Sequence, residues 1–318
     1  MISFPPYGEF ARVYRESVDP TSLAPNAWRP GLPKPERERT WLEWREETVK
    51  LITETLWPQW SETQKAWLKP DYAAMEALTL ADFDLFVELG KSGVLDSQPK
   101  SPVAAASIPT HRQYFVDEDT AKLGDRYYFY DTTLPAAQLD KVLPDLRAAL
   151  KDKAGSVSIQ VKQLLQRPRA YQVAKILGRD HKLELATTSM TSSMSSGHCF
   201  QGCLVAVGIY DAWIQRGFSP SPDQLTALAQ FGVDIGDRRV FAGVHYPSDN
   251  LSSWIMDLRL VGEVAQDKRI GKFLADAIIQ RSTVFRLIES SGSKAHAGAL
   301  ALVKALAVAA GSQETPRK

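Results

Sequence analysis

Apolar residues recur at the spacing of an α-helix through most of the chain beyond residue 38, and this pattern predicts an all-α protein. Helices are predicted over residues 40–57, 135–150, 157–166, 198–215, 249–263, 267–286 and 294–310. Another helix begins at Ser221 and Pro222 and is expected to end at Gly232, since glycine commonly follows the last helical residue. The stretch 99–133 has the least helical pattern. The simplest architecture is a single α-helical bundle.

Composition divides the chain into three segments. Residues 1–37 carry seven prolines and little periodicity, which favours an extended N-terminal arm. Residues 38–312 are predicted to form the helical domain, and residues 313–318 form a polar tail. The start of the chain lacks the basic and apolar stretches of a signal peptide, and no segment approaches the roughly 18 uninterrupted apolar residues of a membrane span. We therefore expect a soluble, cytoplasmic protein.

The charges of the chain almost cancel, with 38 Lys and Arg residues against 37 Asp and Glu residues. A nearly neutral chain has no general attraction for nucleic acid or for an anionic membrane surface, so neither is expected as a partner. Affinity for anions must therefore come from a local cluster of side chains. Cys199 and Cys203 lie one helical turn apart and are interpreted as core residues.

The first candidate motif is a pair of cations, Lys162 and Arg169, separated by six residues. Seven positions are close to two helical turns, so both side chains can point in the same direction. An arginine offers a planar fork that binds two phosphate oxygens, whereas a lysine acts as a compact charge. Taken alone, such a pair is usually part of a solvated helix face.

The second motif, Ser195-Ser196-Gly197-His198, precedes the apolar run from Cys199 to Ile214. A serine-rich turn that leads into a helix is typical of an N-cap. Free N–H groups and the positive end of the helix dipole make such a turn an anion site, and Gly197 lets the backbone approach the anion. The alternative is an ordinary capped helix with a surface histidine.

The third motif places Arg238 and Arg239 ahead of His245 and Asp249. Five residues separate Arg239 from His245, and three separate His245 from Asp249. An aspartate beside a histidine can hold the ring in one tautomer and leave its other nitrogen free to attack. The alternative is an ion-paired histidine at a helix start. The remaining histidines, His111, His181 and His296, have no comparable neighbours in sequence and are interpreted as surface or structural residues.

In combination, the three motifs resemble the type 2 phosphatidic acid phosphatase superfamily, which includes class A acid phosphatases, lipid phosphatases and vanadium-dependent haloperoxidases. The resemblance covers residues 162–249 and all eight chemically active positions. Three framework positions depart from the family pattern: Ala170 and Ser195 stand where it has proline, and Arg238 stands where it has serine. The resemblance implies a helical bundle of the acid phosphatase and vanadium haloperoxidase type.

The resemblance also implies a role for each residue. His245 attacks phosphorus to form a phosphohistidine, Asp249 orients His245, and His198 acts as general acid and base. The residues implied to hold the phosphate oxygens are Lys162, Arg169, Ser196, Gly197 and Arg239. Arg238 is a possible contact for a further charge on the substrate.

Three functions remain open at this stage. The first is a soluble phosphatase or phosphotransferase that hydrolyses small phosphomonoesters and needs no cofactor. The second is a vanadium-dependent haloperoxidase, in which the same residues hold vanadate and His245 is the ligand of the metal. The third is an inactive homologue that only binds anions. The expected partner is a small phosphorylated substrate, and the oligomeric state is left open.

Overall fold

The computed structural model describes residues 47–57, 60–61, 66–67, 72–100, 110–120, 155–184, 191–265 and 267–312. The predicted arm over 1–37, the predicted helix over 135–150 and the polar tail over 313–318 lie outside these residues. The start of the helix predicted over 40–57 lies outside them as well.

The described residues are mostly helical, which confirms the all-α class. The helices, in chain order, are α1 (residues 47–55), α2 (Tyr72–Ser92), α3 (His111–Thr120), α4 (Gly155–Leu165), α5 (Ala170–Ala174), α6 (Gly197–Gln215), α7 (Pro222–Phe241), α8 (Pro247–Val264), α9 (Lys268–Asp276), α10 (Thr283–Ser291) and α11 (Lys294–Ser312). A 3₁₀ turn, Val94–Asp96, follows α2, and a π-helical turn, Ala277–Arg281, continues α9. Two short antiparallel strands, β1 (Trp60–Ser61) and β2 (Ala66–Trp67), pair between α1 and α2.

Helices α6 and α7 pack closely at the centre of the described fold. A Cβ placed on Gly232 would lie 2.7 Å from the Cβ of Ala206, and one placed on Gly202 would lie 2.7 Å from the carbonyl oxygen of Gly232. Glycine at position 232 therefore lets two helix backbones approach each other. The prediction that the helix ends at Gly232 is wrong, because α7 continues to Phe241 and carries Arg238 and Arg239 in its last turn.

The helix predicted over 267–286 is interrupted at Ser282, so the prediction of one continuous helix is wrong at that point. Ser282 caps α10 by accepting a hydrogen bond from the N–H of Phe285 at 3.0 Å. Asp237 of α7 accepts hydrogen bonds from the N–H groups of Thr283 at 2.6 Å and Val284 at 3.2 Å. A buried carboxylate from another helix thus stabilises a new helix N-terminus, which the local sequence pattern does not contain.

Helix α3 lies inside the stretch predicted to be least helical, and that prediction is wrong for residues 111–120. Three of its side chains, His111, Tyr114 and Phe115, are buried. The ring of His111 meets the ring of Phe241 edge to face, with 5.3 Å between the ring centroids. Packing against α7 accounts for a helix whose own sequence pattern is weak.

The outer helices enclose the central pair. Helix α8 packs against α6 and α11, α9 packs on α11, and α2 contacts α7, α8, α10 and α11. Leu251, Trp254 and Ile255 of α8 join the same buried cluster as Phe285 of α10. Cys199 and Cys203 are free thiols buried in this core, as predicted.

Helix α11 contains a window, Lys294–Gly311, whose length and mean hydropathy of 1.2 are compatible with a membrane span, and 28% of that window is buried. Core helices of soluble proteins have the same length and composition. The buried residues of this window recur at helical spacing, as expected for one face that packs on the protein: His296, Ala299, Val303, Ala307 and Ala310.

Candidate active site

The N-terminus of α6 is tied to the first turn of α8. Ser196 caps α6 by accepting a hydrogen bond from the N–H of Cys199 at 3.3 Å, as the sequence predicts. The carbonyl oxygen of Ser196 accepts a hydrogen bond from Ser253 Oγ at 2.8 Å. The N–H of Ser196 donates to the carbonyl oxygen of Asp249 at 3.4 Å. The second and third motifs are therefore adjacent in space.

His245 and Asp249 form a buried pair. The Nδ1 atom of His245 lies 2.9 Å from Asp249 Oδ2, and the two side chains are 4% and 0% exposed. The same carboxylate oxygen accepts hydrogen bonds from the N–H of Tyr246 at 3.1 Å and from the hydroxyl of Ser193. Because an ionised carboxylate only accepts hydrogen bonds, Nδ1 must carry the proton of the imidazole.

The other ring nitrogen of His245 faces a cation. Nε2 lies 3.1 Å from Nη1 of Arg169, and a guanidinium has no acceptor. Nε2 therefore has to be the acceptor of this contact, which requires the neutral imidazole with its lone pair on Nε2. This is the protonation state of a histidine that can attack an electrophile.

Both histidines of the site have lowered pKa values. Burial lowers the pKa of His245 well below its ordinary value, and the charges of Arg169 and Lys162 add to this effect, while Asp249 opposes it. Burial also lowers the pKa of His198 well below its ordinary value, and the charges of Arg239, His245, Lys162 and Arg169 contribute. Both rings are thus neutral in the protein without a bound anion.

Lys162 and Arg169 are held by backbone carbonyls. Lys162 Nζ donates hydrogen bonds to the carbonyl oxygens of Ser192 at 2.8 Å and Ser193 at 2.9 Å. Burial and the charge of Arg169 lower the pKa of Lys162 well below its ordinary value, and Asp249 opposes this effect, so a bound anion favours the charged ammonium form. Arg169 donates from Nε to the carbonyl oxygen of Thr191 and from Nη1 to that of Val244, both at 2.7 Å. Burial lowers the pKa of Arg169 to about 10, and this group remains a cation at neutral pH.

The turn that presents Arg169 is held without the proline of the family pattern. Ala170 is the first residue of α5, and the backbone N–H of Arg169 donates a hydrogen bond to Gln172 Oε1 at 2.7 Å. A side-chain hydrogen bond therefore stabilises the start of this helix, in the manner of a capping box.

His198 lies in the first turn of α6 and is 8% exposed. Among the residues that the structure describes, none provides a hydrogen-bond partner for its Nε2 atom. A buried polar nitrogen without a partner costs free energy, so Nε2 is suited to bind a ligand or a water molecule. Arg239 is fully buried nearby, with its guanidinium 4.6 Å from the ring centroid of Phe115.

Ser158 is a candidate that the motifs do not include. It lies one helical turn before Lys162 on α4 and is 2% exposed. Its Oγ atom would be 3.1 Å from a Cβ placed on Gly197, and no residue in the described ranges bonds to that hydroxyl. Gly197 therefore leaves room for this hydroxyl at the N-terminus of α6. Ser158 and Lys162 are four positions apart in a predicted helix and therefore share one face. The sequence could have identified Ser158 as a site residue on that ground.

Arg238 is placed differently from the other predicted residues. Its side chain is 1% exposed, and its guanidinium lies 5.1 Å from the ring centroid of Tyr114. Burial and the charge of Arg238 lower the pKa of His111 to about 3. Arg238 therefore stays a possible contact for a further charge on the substrate. Its charge acts on His111, whereas the charge of its neighbour Arg239 acts on His198, because adjacent residues of a helix point in different directions.

The structure thus brings together eight of the nine predicted site residues: Lys162, Arg169, Ser196, Gly197, His198, Arg239, His245 and Asp249. The described ranges contain no group of three or more His, Cys, Asp or Glu side chains arranged to hold a metal cation. The donors around His245 Nε2 and His198 are cations and hydroxyls, which fit an oxyanion such as phosphate or vanadate.

Comparison of the chain with protein-family models, with curated proteins and with solved structures gives no match in any of the three cases. The interpretation of the site therefore depends on its geometry and charge.

Proposed function

We propose that the chain is a soluble phosphatase, or a phosphotransferase, that hydrolyses small phosphomonoesters through a phosphohistidine intermediate. Its helical bundle, on this proposal, is of the acid phosphatase and vanadium haloperoxidase type. The observation that carries the proposal is the orientation of His245, whose Nδ1 bonds to Asp249 while Nε2 faces Arg169. A second ring, His198, has a buried Nε2 without a partner among the described residues.

The first half of the reaction transfers a phosphoryl group to His245. Arg169 Nη1 moves its hydrogen bond from Nε2 to a phosphate oxygen. The lone pair of Nε2 then forms a bond to phosphorus while the bond from phosphorus to the leaving oxygen breaks. His198 gives a proton to that oxygen, so that an alcohol leaves. Lys162, Arg169 and Arg239 balance the charge on the other phosphate oxygens, and Ser196 and Gly197 contribute the N-terminus of α6.

The second half regenerates the enzyme. Neutral His198 takes a proton from water, the water oxygen bonds to phosphorus, and the bond between phosphorus and Nε2 of His245 breaks. His198 has to be protonated in the first half, although its pKa is lowered in the protein alone. A bound phosphate dianion offsets the three cations and raises that pKa, so substrate binding itself prepares the general acid.

The vanadium-dependent haloperoxidase is the alternative supported by the same observation. Vanadate has the shape and charge of phosphate, and the neutral imidazole of His245 could coordinate its metal through Nε2 once Arg169 releases that nitrogen. The residues that would hold it are His245, Lys162, Arg169 and Arg239, and His198 would exchange protons beside it. Loaded vanadate would activate peroxide, and peroxide would be the oxidant of the halide.

One pair of assays distinguishes these functions. Hydrolysis of p-nitrophenyl phosphate is measured without added metal, and halide oxidation by peroxide is measured after loading with orthovanadate. We expect hydrolysis that His245→Gln abolishes and that His111→Gln, a buried histidine on α3, retains. An acid-labile, base-stable phosphoryl group should be trapped on the wild type only. Activity in the second assay alone would favour the haloperoxidase, and activity in neither would favour an inert anion-binding homologue.

A further inference from the structure

A line of buried ionisable side chains continues from His245 to the far side of Asp249. Asp249 Oδ1 accepts a hydrogen bond from Arg167 Nη1 at 3.0 Å, and Arg167 Nη2 donates to Asp82 Oδ2 at 2.7 Å. Asp82 Oδ1 lies 2.9 Å from His296 Nε2. The side chains of Arg167, Asp82 and Asp249 are fully buried, and His296 is 1% exposed. None of the three groups beyond Asp249 belongs to the motifs identified in the sequence.

Arg167 is fixed in one orientation. Its guanidinium lies between two aromatic rings, 3.8 Å from the centroid of Tyr246 and 4.9 Å from that of Trp57. The planar fork points one nitrogen at each carboxylate, and a lysine could not bridge the two in the same way. Trp57 is itself anchored, because its Nε1 donates to the carbonyl oxygen of Leu165 at 3.0 Å.

Asp82 connects this line to the start of α8. It accepts a hydrogen bond from the N–H of Ser248 at 3.0 Å and from the hydroxyl of the same residue. The hydroxyl of Ser248 in turn accepts from Arg167 Nη1 at 2.6 Å. Ser248 is the neighbour of Asp249 in the first turn of α8, so Asp82 and Arg167 together set the position of that turn. His296 also contacts Ser293, with 2.9 Å between Nδ1 and Oγ.

The two carboxylate oxygens of Asp249 therefore have different hydrogen-bond partners. Oδ1 is held by Arg167, and Oδ2 receives His245 Nδ1, the N–H of Tyr246 and the hydroxyl of Ser193. Rotation of the carboxylate would break bonds on both sides at once. The plane of the carboxylate, and with it the direction of the His245 ring, thus depends on Arg167.

We propose that Arg167 is a positioning residue that fixes the Asp249 carboxylate, and that Asp82 and His296 hold Arg167 in place, so that helices α2 and α11 determine the orientation of the His245 ring. The catalytic consequence rests on the proposed function, but the orientation itself is a property of the protein without ligand. A purely structural role would stabilise the fold and leave the tautomer and direction of His245 unchanged.

The direct test is nuclear magnetic resonance of the full chain labelled with ¹⁵N-histidine and free of ligand. The chain has five histidines, and His245→Gln identifies the signals of His245. The wild type is expected to show a neutral His245 ring with its proton on Nδ1, at the downfield shift of an N–H bonded to a carboxylate. A proton on Nε2 in the wild type would overturn the proposal.

The variants extend the test along the line. Arg167→Gln, Asp82→Asn and His296→Phe are each expected to move the Nδ1–H resonance upfield and to populate the other tautomer, and His296→Gln, which keeps a donor, should restore part of the wild-type signal. Asp237→Asn is the matched control, since Asp237 is also a buried carboxylate that holds a helix N-terminus. An unchanged His245 signal in folded Asp82→Asn and His296→Phe would overturn the proposal, and so would an equal change in Asp237→Asn. If Arg167→Gln does not fold, Asp82→Asn and His296→Phe test the proposal without it.

Kinetics provide a second measurement if the wild type hydrolyses p-nitrophenyl phosphate. Misplacing a reacting atom by about 1 Å costs roughly a hundredfold, so Asp82→Asn should lower kcat by about ten- to a hundredfold and leave KM within about threefold. An equal change in KM would contradict a positioning role. Wild type that shows the expected His245 signal but no hydrolysis would refute the proposed function and leave the positioning role supported.

Discussion

Asp249→Asn changes a carboxylate that only accepts hydrogen bonds into an amide with one acceptor and one donor. If the amide oxygen faces His245, Tyr246 and Ser193, the amide NH₂ meets the donor Nη1 of Arg167, 3.0 Å from the original Oδ1. If the amide is reversed, its NH₂ meets Nδ1 of His245 and forces the proton onto Nε2. That proton would then face Nη1 of Arg169 at 3.1 Å. In either orientation of the amide, two hydrogen-bond donors face each other without an acceptor between them.

Asp249→Asn is expected to lower both the stability of the fold and the rate of the chemical step, because the groups around Asp249 are buried. Burial raises the pKa of Asp249, but the nearby Arg167 charge and the His245 hydrogen bond lower it by more. The net pKa is below the ordinary value, so the group is an anion at neutral pH. Removing one partner of a buried ion pair costs about 3–5 kcal/mol of stability, because Arg167 keeps its buried charge. By analogy with the aspartate of serine-protease triads, the wrong tautomer lowers kcat by about 10⁴-fold, which corresponds to about 5.5 kcal/mol of activation free energy.

The two effects are measured separately. Urea unfolding gives the stability loss, and single-turnover hydrolysis of p-nitrophenyl phosphate gives the rate of the chemical step below the unfolding range. Asp237→Asn is the control, because it changes another buried Asp that holds a helix N-terminus, outside the site. A variant of Asp249 that folds and reacts within about tenfold of the wild type would refute the orientation argument.

Three further predictions concern the cations, the added hydroxyl and the pH dependence. Arg169→Ala and Arg239→Ala should each lower kcat by about 10²-fold, as expected for a lost oxyanion donor, and a loss under about threefold in both would contradict their role. Ser158→Ala should raise the inhibition constant of inorganic phosphate by about tenfold or more, since a hydrogen bond to a charged group contributes about 1.5–3 kcal/mol, whereas exposed Ser290→Ala should leave it unchanged. The pKa of His198 is lowered on folding, so its contribution to stability is present above about pH 6.5 and is lost as pH falls. Relative to His198→Gln, the wild type should therefore lose up to about 1.4 kcal/mol per pH unit below pH 6.5 in urea unfolding, and parallel curves for the two proteins would count against a neutral His198.

Several features of the site were predictable because they depend on short stretches of chain. The cap at Ser196 and the start of α8 at Pro247 follow from local hydrogen bonding and backbone preference. The spacing of His245 and Asp249, four positions apart at a helix start, is compatible with direct contact. Ser158 was detectable by the same reasoning, because it lies one turn before Lys162 on α4.

Other features depend on contacts between distant segments. Gly232 lies inside α7 where α6 approaches closely, and at the break before α10 the new helix start is held by Asp237. His296, interpreted from the sequence as a surface or structural residue, is fully buried 2.9 Å from Asp82, more than two hundred positions away. No local pattern contains such a pairing.

The amino-acid sequence alone determined the all-α class, the caps of the main helices and the chemical types of the groups available for oxyanion binding. These properties follow from hydrogen bonds and side-chain periodicity within a few turns of chain. Only the tertiary structure decided that the charge of Arg239 acts on His198 while that of Arg238 acts on His111, and that Arg167 lies behind Asp249. The reason is that a buried charge is tolerated only where partners from other helices converge, so its position depends on packing across the whole fold.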